Sequence, residues 1–270
     1  MAEGSDVRFG EVVCLWAPDD AGYVVGDDGI TERMFLDAEE YQSCPVHMLQ
    51  SCCFIIVQKF QYSAAKAFAK RLRSEEFSAL KLTAHNWRSV LDHTEYLYKE
   101  LASDERKMAD ERETNEMELR RKSGYSVVYG SVVQLKHRQS GRFVTQSKNR
   151  AEHDPLGMDV TLVQDGGEGS WWRVMPAEKV RTEGEKVQQG DKIYFASVKF
   201  KNSFLYVSSR SPVVVNHRSE EELAEAGLGA PEPDKHMYMR LHDSVRARFE
   251  INGNAEMSRF QIRTFQSHES

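Results

Sequence analysis

The chain is poor in cysteine, and it has none beyond residue 53: Cys14, Cys44, Cys52 and Cys53 are the full complement in 270 residues. A disulfide framework would spread its cysteines, so this clustering predicts reduced thiols in a cytosolic setting. No signal peptide is expected, because Met1-Ala-Glu-Gly-Ser-Asp6 has neither a basic nor an apolar region. No apolar run approaches the ~20 residues of a membrane helix, so membrane attachment is expected only through a partner or another part of the protein. Basic excess is absent too. The formal net charge is -6, which argues against nucleic acid as a principal partner. The sequence has no Walker-type glycine loop, no His-Glu-x-x-His and no Gly-x-Ser-x-Gly elbow. Gly166-Gly-Glu-Gly169 precedes a strand rather than a helix, so phosphate capture at a helix N-terminus does not apply. Neither an enzyme nor a cofactor is expected.

What is present is repetition. Gly10-Glu-Val-Val-Cys-Leu-Trp16 recurs in altered form as Gly130-Ser-Val-Val-Gln-Leu-Lys136 and Gly190-Asp-Lys-Ile-Tyr-Phe-Ala196. Each copy is a glycine, a polar residue and then apolar alternation, which reads as a turn and a half-buried strand. Each is followed by an aromatic strand (22–25, 141–145 and 204–207) and a third strand (33–36, 158–163 and 245–251). Each unit closes on an aromatic before a β-branched residue, at Phe54, Trp172 and Phe260. Three units of four strands predict a mainly β chain of β-trefoil type, pseudo-threefold, with the three closing aromatics in one core. An all-β sandwich is the alternative.

Between the first two units the strand signal stops. Ser63 suits a helix N-cap, and alanines and long side chains continue to Arg73. After a break near Ser74, a second helix carries Trp87, Val90, Leu91, Thr94, Leu97, Tyr98 and Leu101 on one stripe. Beyond Ser103 the stripe thins into a solvated helix or a disordered link, which Gly124 ends. The expected organisation is unit one at 1–62, an inserted α-helical hairpin arm at 63–123, and units two and three at 124–270, in one domain overall. Irregular stretches are expected at Gln146 to Leu156 and at His217 to Lys235.

Cys44-Pro-Val-His47 with Cys52-Cys53 has residue types that zinc favours, but strand alternation would point Cys52 and Cys53 to opposite faces. No metal is therefore expected, and buried or half-buried thiols are the plainer reading. Arg138 and Arg142, with Lys148 and Arg150, fall in or near one hairpin of unit two; they suit an anionic ligand, an acidic partner or a mixed solvated surface. The run from Trp87 to Leu101 suits a calmodulin-like partner or, given its acidic neighbours, packing within the arm.

Taken together, these residues resemble the N-terminal suppressor domain of inositol trisphosphate receptors, in the family of intracellular calcium-release channels. Gln61-Tyr-Ser-Ala-Ala-Lys66 is similar to the family's Arg-Tyr-Ser-Ala-Gln-Lys. Tyr129-Gly-Ser-Val-Val-Gln-Leu135 resembles Tyr-Gly-Asn-Val-Ile-Gln-Leu, and Gly167-Glu-Gly-Ser-Trp-Trp172 resembles Asn-Glu-Gly-Ser-Trp-Phe. The resemblance spans about residues 7–266. Ryanodine receptors share the trefoil but lack so long an arm there. The resemblance implies regulation: such a domain lowers the affinity of a neighbouring ligand-binding core and passes the binding signal to the gate. Its partners would be that core and adjacent subunits of a tetrameric channel, on the cytoplasmic face of the endoplasmic reticulum membrane. The resemblance makes Ile30, Thr31, Glu32 and Arg33 candidates for an interdomain contact, joined by Arg138 and Arg142; an ordinary solvated turn is the alternative. It places the family's gate-coupling tyrosine at Glu178, beside Lys179 and Arg181, and a carboxylate cannot supply an aromatic anchor. A carbohydrate- or protein-binding module of the MIR or lectin type is the second functional expectation, although Gln-x-Trp repeats are missing. A scaffold whose arm recruits a partner is the third.

Overall fold

The computed structural model describes residues 5–26, 32–38, 49–92, 96–216 and 245–264. The loop expected at His217 to Lys235 lies outside these residues. The described chain is mainly β, with twelve antiparallel strands and few helices. It separates into two compact units, Met1–Val57 with Gly124–Ser270, and Gln58–Ser123.

The first unit holds all the strands. They are β1 (Val12–Ala17), β2 (Gly22–Gly26), β3 (Met34–Ala38) and β4 (Cys53–Gln58), with the short helix α1 (Leu49–Cys52) before β4. Next come β5 (Val132–His137), β6 (Phe143–Arg150), β7 (Met158–Val163) and β8 (Trp172–Pro176). The last are β9 (Lys192–Ser197), β10 (Phe204–Asn216), β11 (Val245–Asn254) and β12 (Phe260–Thr264). Pairings β1–β4–β5–β8–β9–β12 return to β1, so six strands close into a ring with no bare edge. The other six form three hairpins, β2–β3, β6–β7 and β10–β11. β11 joins the other two by pairing with β3 and β7.

The repetition in sequence becomes cyclic hydrogen bonding. The Val7 amide donates to the Val187 carbonyl (2.8 Å), Val187 to Val127 (2.9 Å), and Val127 back to Val7 (2.7 Å). The repeated glycines follow the same rule, with Gly10 donating to Ile56, Gly130 to Val174 and Gly190 to Ile262. All three have positive φ, between 82° and 89°, a turn conformation that costs a side-chain-bearing residue energy. Inside, Phe54, Trp172 and Phe260 are each 0% exposed and share one apolar cluster with Leu15, Leu135 and Phe195. The Trp172 indole N–H donates to the Val144 carbonyl at 3.0 Å, so this buried donor is satisfied. The irregular stretch expected from Gln146 starts later, because β6 continues to Arg150 and resumes pairing with β7 past an irregularity between Gln146 and Arg150.

The second unit is helical among its described residues: α2 (Ser63–Leu72), α3 (Glu75–Ser78), α4 (Trp87–Val90) and α5 (Tyr96–Lys122). Phe68, Phe77, Leu82, Trp87, Leu91 and Leu101 bury one another. The expected single stripe is corrected in two ways. α4 is a single turn, and Val90 faces outward at 51% exposure; Thr94 lies outside the described residues. Beyond Ser103 the chain is one continuous helix, carrying Arg121–Glu118 and Arg120–Glu116 pairs on its surface. Ser63 is not the cap of α2. The Glu111 carboxylate on α5 takes the amides of Ser63 (2.9 Å), Ala64 (3.1 Å) and Ala65 (3.4 Å). A long helix with an acidic residue in reach has replaced a local cap.

Candidate functional site

The candidate contact residues meet in the first unit where the end of the β2–β3 turn lies against the second hairpin. Ile30 and Thr31 lie outside the described residues. Glu32 is exposed and left-handed (φ 57°), and its carbonyl accepts the Leu162 amide at 2.7 Å. Arg33 bridges Thr161. These backbone bonds fasten the segment to β7. Two ion pairs then bind the side chains: Arg142 with Glu32, and Arg33 with Glu152. The structure thus brings Glu32, Arg33 and Arg142 together, 110 residues apart in the case of Arg142 and Glu32. Arg142 also shapes its own hairpin, since its carbonyl accepts the His137 amide at 2.7 Å. Arg138 takes a different direction. Its amide donates to the Cys53 carbonyl (2.9 Å), and its side chain is exposed.

Sequence reasoning missed the residue that orders Glu152. The carboxylate of Glu250, 4% exposed, accepts the amides of Glu152 (3.0 Å), His153 (3.3 Å) and Asp154 (3.0 Å). Asp154 in turn accepts from Ser208 (3.0 Å) and Asn252 (3.2 Å). Nothing local in the sequence signals this, because Glu250 and Asp154 are 96 residues apart. A buried carboxylate with its lone pairs filled by backbone amides holds the 152–154 turn in one shape.

The second candidate loop divides into an exposed part and a tethered part. Glu178, Lys179 and Val180 are exposed, Val180 at 79%. Arg181 is tied to Asp191 at 3.0 Å and to the Gln188 side chain at 3.2 Å. Asp191 also accepts the Tyr129 hydroxyl at 2.8 Å, and burial followed by that carboxylate pushes the Tyr129 phenol upward. Arg181 therefore anchors the loop, while residues 178–180 present a surface.

The Glu-Gly-Ser-Trp element is structural. A side chain at Gly169 would collide with the Gln146 carbonyl oxygen. The Ser170 hydroxyl donates to the Gly167 carbonyl (2.6 Å) and accepts from Gln134 (2.6 Å), whose side chain is fully buried. Trp172 then enters the core.

The expectation that Cys52 and Cys53 diverge is overturned. Cys52 ends α1 and Cys53 begins β4, so strand alternation does not separate them. Cys53 lies opposite Cys14 in the β1–β4 register. The three sulfurs lie within 4.8 Å of one another and all three residues are buried. Cys44 and His47 lie outside the described residues.

Comparison with known proteins now bears on these features. A family model described as inositol 1,4,5-trisphosphate/ryanodine receptor matches residues 2–226. The chain belongs to that family. The receptor-family match covers Glu32, Arg33, Arg142 and residues 178–181, and it stops before β11, which joins the three hairpins, and β12, which closes the ring. A curated relative, inositol 1,4,5-trisphosphate receptor itr-1 of Caenorhabditis elegans, is 42% identical over 84 residues. That segment is 31% of this chain and 3% of the receptor, so the chain aligns with a small part of that relative. The family is one of receptors rather than enzymes. Among the described residues no helix is long and apolar enough to cross a membrane.

Proposed function

We propose that this chain is the non-catalytic suppressor and coupling domain of an inositol trisphosphate receptor-like calcium-release channel. In this reading the first unit is a β-trefoil of MIR type and the second is a helical arm inserted in it. The domain modulates ligand affinity of a neighbouring binding core and transmits binding to the gate of a tetrameric assembly, on the cytoplasmic face of the endoplasmic reticulum membrane. The observation that carries the reading is the receptor-family match over residues 2–226. The Glu32–Arg33 segment supports it: an exposed, charged turn held on a closed sheet by backbone bonds and two ion pairs is a preorganised surface for docking. Regulation of this kind corresponds to a coupling free energy of ~1–3 kcal/mol, or about 5–150-fold in affinity.

The test is calorimetric. Inositol 1,4,5-trisphosphate titrated into this chain alone is expected to show no binding at micromolar affinity, about -8 kcal/mol. Fusion of the chain ahead of a receptor ligand-binding core is expected to weaken that core's affinity within the stated range. Arg33→Glu with Arg142→Glu should relieve the weakening. Micromolar binding to the chain alone, or a fused core with unaltered affinity, contradicts the proposal.

A further inference from the structure

The thiol cluster is not used by the reading above, and its geometry is unusual for buried cysteines acting only as small apolar side chains. Cys14, Cys52 and Cys53 are 3%, 0% and 1% exposed. The Cys14 sulfur lies 3.7 Å from Cys52 and 3.9 Å from Cys53. A metal–thiolate bond of about 2.3 Å sets three sulfurs around one ion about 4 Å apart. The cluster already has this spacing in two of its edges. Its walls are apolar: Tyr23, Val25 and Phe35 pack with the cysteines, flanked by Val12 and Trp16. We propose that Cys14, Cys52 and Cys53 supply thiolate ligands to a site for one soft metal ion.

Ligand chemistry selects this class of occupant. Thiolates are soft donors that favour Cu(I), zinc and iron–sulfur clusters over hard cations. Uptake of the ion releases the protons of those cysteines that are still thiols, with no change of oxidation state.

The test uses the reduced, metal-free 270-residue chain, loaded separately with Cu(I) and with Zn(II) against a chromogenic competitor for each ion. One ion per chain is expected from at least one of the two loadings, with three sulfur neighbours in the X-ray absorption spectrum and a rise in Tm on loading. Cys53→Ser should bind at least tenfold more weakly and lose the Tm rise, while far-UV circular dichroism confirms that it folds. Cys52→Val supplies the same comparison if the serine variant fails to fold. Retention of neither ion, or equal retention by wild type and a folded variant, overturns the site.

Discussion

The N-terminus of α2 offers a quantitative test of how the second unit is held together. Four amides at a helix start have no partner within the helix. Here the Glu111 carboxylate takes three of them, at Ser63, Ala64 and Ala65, and also accepts the Ser63 hydroxyl at 2.6 Å. Losing a cap costs about 1 kcal/mol, and a negative charge at the positive end of the helix dipole contributes about 0.3–1 kcal/mol more. Glu111→Ala should therefore destabilise the unit by ~2 kcal/mol. Glu111→Gln keeps an acceptor oxygen but loses the charge, and should cost ~1 kcal/mol. The sign of the pH dependence follows from the ionised form. Burial pushes the Glu111 carboxyl upward, but the Ser63 hydroxyl and then the amides of Ala64, Ala65 and Ser63 outweigh it, so the folded pKa is depressed. The stabilisation is complete above the unfolded carboxylate pKa of about 4.3 and is lost as the pH falls through the lower folded value. Native-state amide exchange at Ala64 and Ala65, together with urea unfolding, would measure it in wild type and both variants. The gap between wild type and Glu111→Gln should be present at pH 7 and close in acid, where a protonated Glu111 and a glutamine are alike. A Glu111→Ala loss below about 0.5 kcal/mol at pH 7 would refute the reasoning. So would a Glu111→Gln gap unchanged in acid.

Other consequences are as direct. Trp172→Ala empties a 0%-exposed site and removes the indole N–H donated to the Val144 carbonyl, and should cost about 3–5 kcal/mol in urea unfolding. Gly169→Ala should cost ~1–3 kcal/mol by forcing its Cβ against the Gln146 carbonyl, read as a fall in Tm. Arg142→Ala should change stability by less than ~1 kcal/mol, because its ion pair with Glu32 is half exposed; any larger effect of this variant is expected in coupling to a binding core. Tyr129, held neutral by burial and by Asp191, stabilises the fold fully below the unfolded phenol pKa of about 10. That contribution declines as the pH rises above it, so Tyr129→Phe should flatten the alkaline limb of a Tm-against-pH curve.

The sequence by itself determined what depends on near neighbours. Glycine followed by apolar alternation specifies a turn and a strand wherever it occurs, and three copies made the mainly β character and most strand positions legible. Helix was legible from Ser63 onward for the same reason, since alanine and long side chains carry their preference locally. The tertiary structure decided what depends on residues far apart in the chain. Glu111 caps α2 from 48 residues away. Glu250 orders the turn that presents Glu152 to Arg33, and β6 runs on to Arg150 because β7 is there to pair with it. Cys52 and Cys53 meet Cys14 because a helix ends where a strand begins. Backbone preference acts over a few residues, whereas a carboxylate or a thiol takes whatever partner the completed fold brings within about 3–4 Å of it.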